Sequence, residues 1–139
     1  MTRGSVFRYL ELHDSVLAEM KHHDNECVLV LRPAYIHASS GQVGVDAGEG
    51  YWQDLEISLK GVRRVHHTFP LPMRIHDGSL SVASLIHSNL VPVDLRENEV
   101  VQLRISPAAP GGILEIDADG IEVIPIGPAS ETEIFPGKR

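Results

Sequence analysis

Between Val100 and Ile126 apolar and polar residues alternate in three short runs. Val101, Leu103 and Ile105 alternate with Gln102, Arg104 and Ser106; Leu114 and Ile116 with Glu115 and Asp117; Ile121 and Val123 with Glu122. A Pro/Gly segment and the tripeptide Ala118-Asp119-Gly120 separate the runs. Successive side chains of a strand point to opposite faces, so period-two alternation marks a sheet buried on one side and wet on the other. The runs therefore predict antiparallel strands and an all-β chain. Asp119-Gly120 carries hairpin turn chemistry. Pairing about that turn would set Leu114, Ile116, Ile121 and Val123 on one face, with Asp117 or Glu115 opposite Glu122. Like charges so placed cost ~0.2–1 kcal/mol. Pro125 lacks an N–H and predicts that the final strand is an edge.

The rest of the chain fits the same class. Leu10 and Leu12 alternate with Tyr9, Glu11 and His13, Asp14-Ser15 interrupts, and Val16, Ala18 and Met20 resume. A helix with Leu12, Val16, Glu19 and Met20 on one face is the competing reading; strands fit better, because the segment runs straight into a turn at His23–Glu26. Cys27 to Leu31 is apolar on both faces, as in a central strand. Pro33 belongs at its end or at a bulge, and Tyr35-Ile36-His37 resumes the strand. Residues 38–50, with four glycines, read as a loop. Leu55, Ile57 and Leu59 alternate with Asp54, Glu56, Ser58 and Lys60. Tyr51 shares the apolar parity and Trp52 the polar one, so Trp52 covers a sheet edge or lines a recess. Val62–His67 reads as a strand, the two prolines of Phe69–Met73 exclude regular structure, and His76-Asp77-Gly78 reads as a turn. Leu80 and Val82 give a further strand, Asn89–Val93 is extended, and Asp94–Asn98 is a polar turn. The predicted architecture is one domain over residues 1–139, an antiparallel β-sandwich or partly closed barrel of about eight or nine strands. Residues 130–139 form a solvated or docking tail anchored by Phe135-Pro136.

Charge and cysteine usage narrow the function classes. The chain has 12 basic and 19 acidic residues, a net charge of −7. That sign repels phosphate backbones and argues against a nucleic-acid partner. Protonating all 8 histidines would bring the charge to about +1. No apolar run is long enough for a membrane helix, and Met1–Ser5 lacks the apolar core of a signal peptide. The single cysteine, Cys27, reads as a small buried hydrophobe. Together these features predict a cytoplasmic protein with no membrane partner.

The chain contains no phosphate-binding Walker loop, no G-x-G-x-x-G, no G-x-S-x-G, no H-E-x-x-H and no C-x-x-C. Two similar tetrapeptides stand out, Leu12-His13-Asp14-Ser15 and Ile75-His76-Asp77-Gly78. Imidazole beside carboxylate suits a divalent transition metal or acid–base work, and His13, Asp14, His37 and His76 are the candidate ligands. Adjacent strand residues diverge, so such a site needs partners from distant strands. The structural alternative has Asp14 and Asp77 capping turns. Asp117-Ala118-Asp119-Gly120 matches the start of a calcium loop but lacks its closing Glu; a turn explains it. Asp46, Glu49, Tyr51, Trp52 and Asp54 combine carboxylates with two aromatics in a glycine-rich setting, a composition suited to holding a protein partner or small ligand.

Tyr9-Leu10-Glu11-Leu12-His13-Asp14-Ser15 resembles the opening of small bacterial all-β proteins of unknown function: an aromatic, two variable residues, Leu or Phe, His-Asp, then Ser or Ala. Some of those proteins are predicted immunity proteins of toxin systems. The resemblance implies a small, soluble, intracellular domain and transfers no catalytic residue. The expected function is therefore a non-catalytic domain that binds a protein or small molecule. The alternatives are a metal-assisted enzyme with a His/Asp centre and a homodimer built on the Pro125 edge or another apolar face.

Overall fold

The computed structural model describes residues 7–39 and 48–135. Every regular element among them is a strand: β1 (Phe7–Glu11), β2 (Val16–His23), β3 (Glu26–Ser39), β4 (Gly48–Lys60), β5 (Arg64–His67), β6 (Met73–Val82), β7 (Leu85–Ser88), β8 (Leu90–Pro92), β9 (Arg96–Glu97), β10 (Val101–Pro107), β11 (Leu114–Ala118), β12 (Gly120–Ile126) and β13 (Glu133–Phe135). All pairings are antiparallel. The all-β expectation holds, but the described residues form thirteen strands rather than eight or nine. The excess consists mostly of short pieces of two to four residues that turn chemistry and proline keep apart.

A continuous hydrogen-bonded path runs β5-β11-β10-β6-β2-β3-β4-β12-β9, with β1, β7, β8 and β13 attached at its sides. The ends of the path, β5 and β9, do not pair, so the sheet is not closed. Its two halves share one core. Leu80, Leu103, Ile105, Leu114 and Ile116 from one half join Leu29, Leu31, Leu55, Ile57, Leu59 and Val123 from the other in a single buried cluster. Burial in β10 follows the sequence alternation residue by residue, with Val101, Leu103 and Ile105 inside and Gln102, Arg104 and Ser106 outside.

Asp119-Gly120 does not make a hairpin. The strand before it, β11, pairs with β10 and β5, while β12 pairs with β4 and β9. The chain crosses here from one half of the sheet to the other. Leu114, Ile116, Ile121 and Val123 are still all buried, in the one cluster that both halves share. The crossing also removes the opposed acids. Glu115 lies 3.1 Å from Arg104, Asp117 lies 3.9 Å from Arg64, and Glu122 lies 3.7 Å from Arg96. Asp119 lies 3.3 Å from Arg63, so both acids of the calcium-like tetrapeptide are ion-paired. On β12, Pro125 lies opposite Leu55 of β4, beyond the two residues that β9 covers, so its missing N–H leaves no gap in that ladder.

Four segments expected to be irregular contain strand: Arg96–Glu97 of the predicted polar turn form β9, Met73 of the proline segment opens β6, and the ends of the 38–50 loop and His76-Asp77-Gly78 are strand as well. Residues 38, 39 and 48–50 of the predicted loop belong to β3 and β4, and 40–47 lie outside the described residues. His76-Asp77-Gly78 lies inside β6. The ladder slips by one residue there: Asp77 pairs with Ser106 and Ile75 with Pro107, which leaves His76 as the extra residue of a bulge. Gly78 is needed for packing. A Cβ there would lie 2.7 Å from Leu12 Cδ1 and 3.0 Å from the Arg104 carbonyl oxygen. Asp77 accepts a hydrogen bond from the Gly78 N–H at 2.8 Å. The described part of the tail, 130–135, is tied to β4: the Ser130 N–H donates to the Trp52 carbonyl at 2.8 Å, and β13 pairs with Gly48–Gly50. Pro136 lies outside the described residues.

Candidate functional site

The organising feature is a bulge in β3. Cys27, Leu29 and Leu31 point into the core at odd positions, and then Ala34 and Ile36 do so at even ones. The register against β4 slips between Leu31 and Ala34, so Arg32-Pro33 absorbs one extra residue. That single residue re-aims everything after it. Tyr35 and His37, which an unbroken alternation would bury, face outward instead.

Cross-strand partners share a face, so the ladder identifies what lies beside them. Glu11, Tyr35 and Trp52 form one row across β1, β3 and β4; Tyr9, His37 and Gly50 form the next; Phe7, Ser39 and Gly48 the third. Phe7, Tyr9, Tyr35 and Trp52 thus lie on one outward face. They are four of the chain's seven aromatic residues, which are three Phe, three Tyr and one Trp. Their inward neighbours, Leu10, Ile36 and Tyr51, are buried. The Tyr35 and Trp52 rings are 4.6 Å apart at a tilt of 56°. The edge of His37 meets Tyr35 at 4.9 Å. His37 Nε2 lies 2.8 Å from the Glu11 carboxylate, and both side chains are about four-fifths covered, with 17% and 22% exposed. A half-buried imidazole–carboxylate pair therefore stands in the middle of an aromatic face whose rim, Phe7, is 49% exposed.

The backbone under this face is held by Ser15. β1 and β2 behave as one long strand along β3, broken at 12–15. In the break, the Ser15 hydroxyl donates to the Glu11 carbonyl at 2.6 Å and accepts from the Tyr35 N–H at 3.0 Å. The hydroxyl thus bridges the ladder where Glu11 and Tyr35 are partners. Ser15 is fully buried.

The two His-Asp tetrapeptides do meet, but as a junction. Ile75 donates its N–H to the Ser15 carbonyl at 2.9 Å, and Asp14 donates its N–H to the Ile75 carbonyl at 3.2 Å. His13 Nδ1 sits 2.6 Å from the His76 carbonyl, and the two rings meet edge-on at 5.9 Å. Asp14 has φ of 76° and takes its hydrogen bond from Arg74 at 2.8 Å. Asn89, with φ of 65°, completes the joint: its Oδ1 accepts from the His13 N–H at 2.7 Å and its carbonyl from the Leu12 N–H at 2.8 Å. His37 belongs to the aromatic face, paired with Glu11, and does not join His13, Asp14 and His76 as a ligand set. Among the described residues no group of three or more His, Cys, Asp or Glu is placed to hold a metal ion.

The predicted binding residues separate in the same way. Trp52 belongs to the aromatic face, and Asp54 shares its strand parity two residues further along β4. Tyr51 points into the core, where its hydroxyl accepts from Arg8 at 3.4 Å. That bond, with further support from Asp94, holds the Arg8 guanidinium above its ordinary pKa. Asp54 accepts from Arg32 at 3.3 Å. Glu49 sits on β4 between Ala38 and Ile134, on the parity of Tyr51. Asp46 lies outside the described residues. Phe7, Tyr9, Glu11 and Tyr35 were not singled out from sequence, although Phe7, Tyr9 and Glu11 stand at the spacing of one strand face.

An open recess of about 440 Å³ lies elsewhere, at the β2–β3 turn and the end of β4, with Lys21, His23, Asp24, Glu26 and Lys60 among its lining. It mixes charges of both signs. No helix among the described residues is long and apolar enough to cross a membrane. Compared with family models, curated proteins and solved structures, the chain finds no match in any of the three.

Proposed function

We propose that this chain is a non-catalytic interaction domain, and that the outward face of β1, β3 and β4 takes up a protein partner of basic character. The observation that carries this reading is the placing of Phe7, Tyr9, Tyr35 and Trp52 on the solvent side of the sheet. Aromatic side chains supply large contact area for little lost conformational entropy, which is why they dominate binding hot spots. Phe7 is exposed and Tyr9 and Trp52 are partly so, while Tyr35, on the same face, is covered by the neighbouring Trp52 and His37 rings. The net charge of −7 favours basic partners and predicts association that slows as salt rises. The His-Asp motif and its resemblance to immunity-type proteins agree with a partner-binding role. The fold behind the face is best taken as a two-layered sandwich bridged by β6, because the strand path is open between β5 and β9.

The test is affinity capture from native lysate with the wild-type chain and with a Tyr9→Ala/Trp52→Ala variant, whose melting temperature is measured alongside. A basic protein retained by the wild type at low salt and lost with a folded variant supports the reading. Equal recovery by both, or nothing recovered by either, overturns it.

A further inference from the structure

Among the described residues, three of the four exposed large hydrophobic side chains, Leu85 (63%), Ile86 (67%) and Val100 (54%), lie at the turn end of β6, β7 and β10. Val100 adjoins the hairpin turn through a hydrogen bond from the Ala83 N–H to its carbonyl, 3.0 Å. The strand that carries the other two, β7, pairs only with β6.

Edge strands invite pairing with another chain unless charge, proline or shortness blunts them. The other free edges are blunted. β5 carries Arg64, β9 is the charged dipeptide Arg96-Glu97, β8 ends in Pro92, β13 is a three-residue strand that starts at Glu133, the part of β12 beyond β9 carries Pro125, and the unpaired part of β2 carries Glu19 and Lys21. In β7 the sequence is Leu85-Ile86-His87-Ser88, with no acid, no lysine, no arginine and no proline. In a chain of net charge −7 this is the edge at which a second copy meets least repulsion.

The hydrogen-bonding phase of the hairpin fixes how that copy would sit. Ala83 and Ser84, with φ of 48° and 72°, form a two-residue turn between Val82 and Leu85. In such a hairpin the closing pair is hydrogen-bonded and the next pair is not. The Asn89 N–H donates to the Gly78 carbonyl at 2.8 Å, and the Ala83 N–H faces Val100 on the opposite side. Both bonds fit one phase: Val82/Leu85, Leu80/His87 and Gly78/Asn89 bond across the hairpin. The N–H and C=O of Ile86 and Ser88 then point to the free edge.

We propose that two copies of this chain associate through β7, antiparallel, about a two-fold axis that passes between Ile86 and its symmetry mate. An antiparallel pair keeps side chains on matching faces only if the axis passes through a residue pair, and Ile86 is the central position with its backbone groups turned outward. The Ile86 N–H of each copy donates to the Ile86 carbonyl of the other. The two Ile86 side chains meet on the outer face, and Leu85 of each copy packs beside His87 of the other on the inner face. The contact is small, so the dimer is weak, with a dissociation constant between about 1 µM and 1 mM. This inference is independent of the aromatic face.

The experiment is sedimentation velocity on the full chain from micromolar to millimolar concentration, with Ile86→Lys and Ile86→Glu variants measured alone and mixed in equal amounts. The wild type is expected to shift from monomer to dimer. Each variant alone stays monomeric, and the mixture recovers a dimer because residue 86 faces itself across the axis. Ile86 is exposed, so both variants should melt within a few degrees of the wild type. A wild type that stays monomeric throughout overturns self-association and leaves the edge to a strand of a different chain. A dimer that survives Ile86→Lys, or a mixture that stays monomeric, overturns the proposed register.

Discussion

Replacing Ser15 by alanine removes one oxygen and nothing else of consequence from the fold. That oxygen accepts from the Tyr35 N–H at 3.0 Å and donates to the Glu11 carbonyl at 2.6 Å, in a fully buried position. Without it, a backbone donor and a backbone acceptor lose this partner at a position buried from solvent. A buried polar group left unsatisfied costs about 1–3 kcal/mol. Some strand closure would recover part of that for the pair, so the expected loss is about 2–3 kcal/mol. For a domain of this size 1 kcal/mol lowers the melting temperature by roughly 3–4 °C, which makes the expected fall about 6–12 °C. Urea unfolding followed by circular dichroism measures it: the midpoint should fall while the slope stays constant. Ser106→Ala, at an exposed position of β10, is the control and should stay within about 0.5 kcal/mol. Trp52 emission should also change in Ser15→Ala, because the Tyr35 ring that Ser15 positions touches Trp52. A Ser15→Ala loss below about 0.5 kcal/mol would refute the claim that this hydroxyl stands in for a ladder bond.

Gly78→Ala forces a Cβ to within 2.7 Å of Leu12 Cδ1 and 3.0 Å of a backbone oxygen, so it should cost about 1–3 kcal/mol by overpacking; unchanged thermal stability would show that the bulge at His76 relaxes freely. Burial pushes the Cys27 thiol from its ordinary 9.0 up to about 11. The folded state therefore holds the thiol proton more tightly, and the stability this gives is present below pH 9 and lost as pH rises through 11. Native protein at neutral pH should resist a thiol reagent that labels the urea-unfolded chain at once, and a Cys27→Ala variant should show a flatter stability profile over that alkaline range. Glu11→Gln keeps the shape of its side chain but not the charge facing His37, and should cost no more than about 2 kcal/mol while altering partner capture by the aromatic face.

The sequence by itself determined the class and much of the core. Alternation from Val101 to Ile105, around Leu114 and Ile116, and from Leu55 to Leu59 shows which residues are inside, because burying one face of a pleated strand demands it. The same logic placed Tyr51 inside and Trp52 outside, and anticipated a break at Pro33. The likeness of the two His-Asp tetrapeptides marked segments that do meet in space. Tertiary structure decided the rest. Local turn chemistry at Asp119-Gly120 cannot show whether the next strand pairs with its neighbour or crosses to the other half of the sheet; only the available edges of β4 and β10 settle that. Nor can periodicity survive a bulge. One inserted residue at Arg32-Pro33 reverses which side chains of β3 face water, and with it turns Tyr35 and His37 from core residues into the centre of the aromatic face. A bulge is defined by the partner strand it slips against, and that partner lies far along the chain.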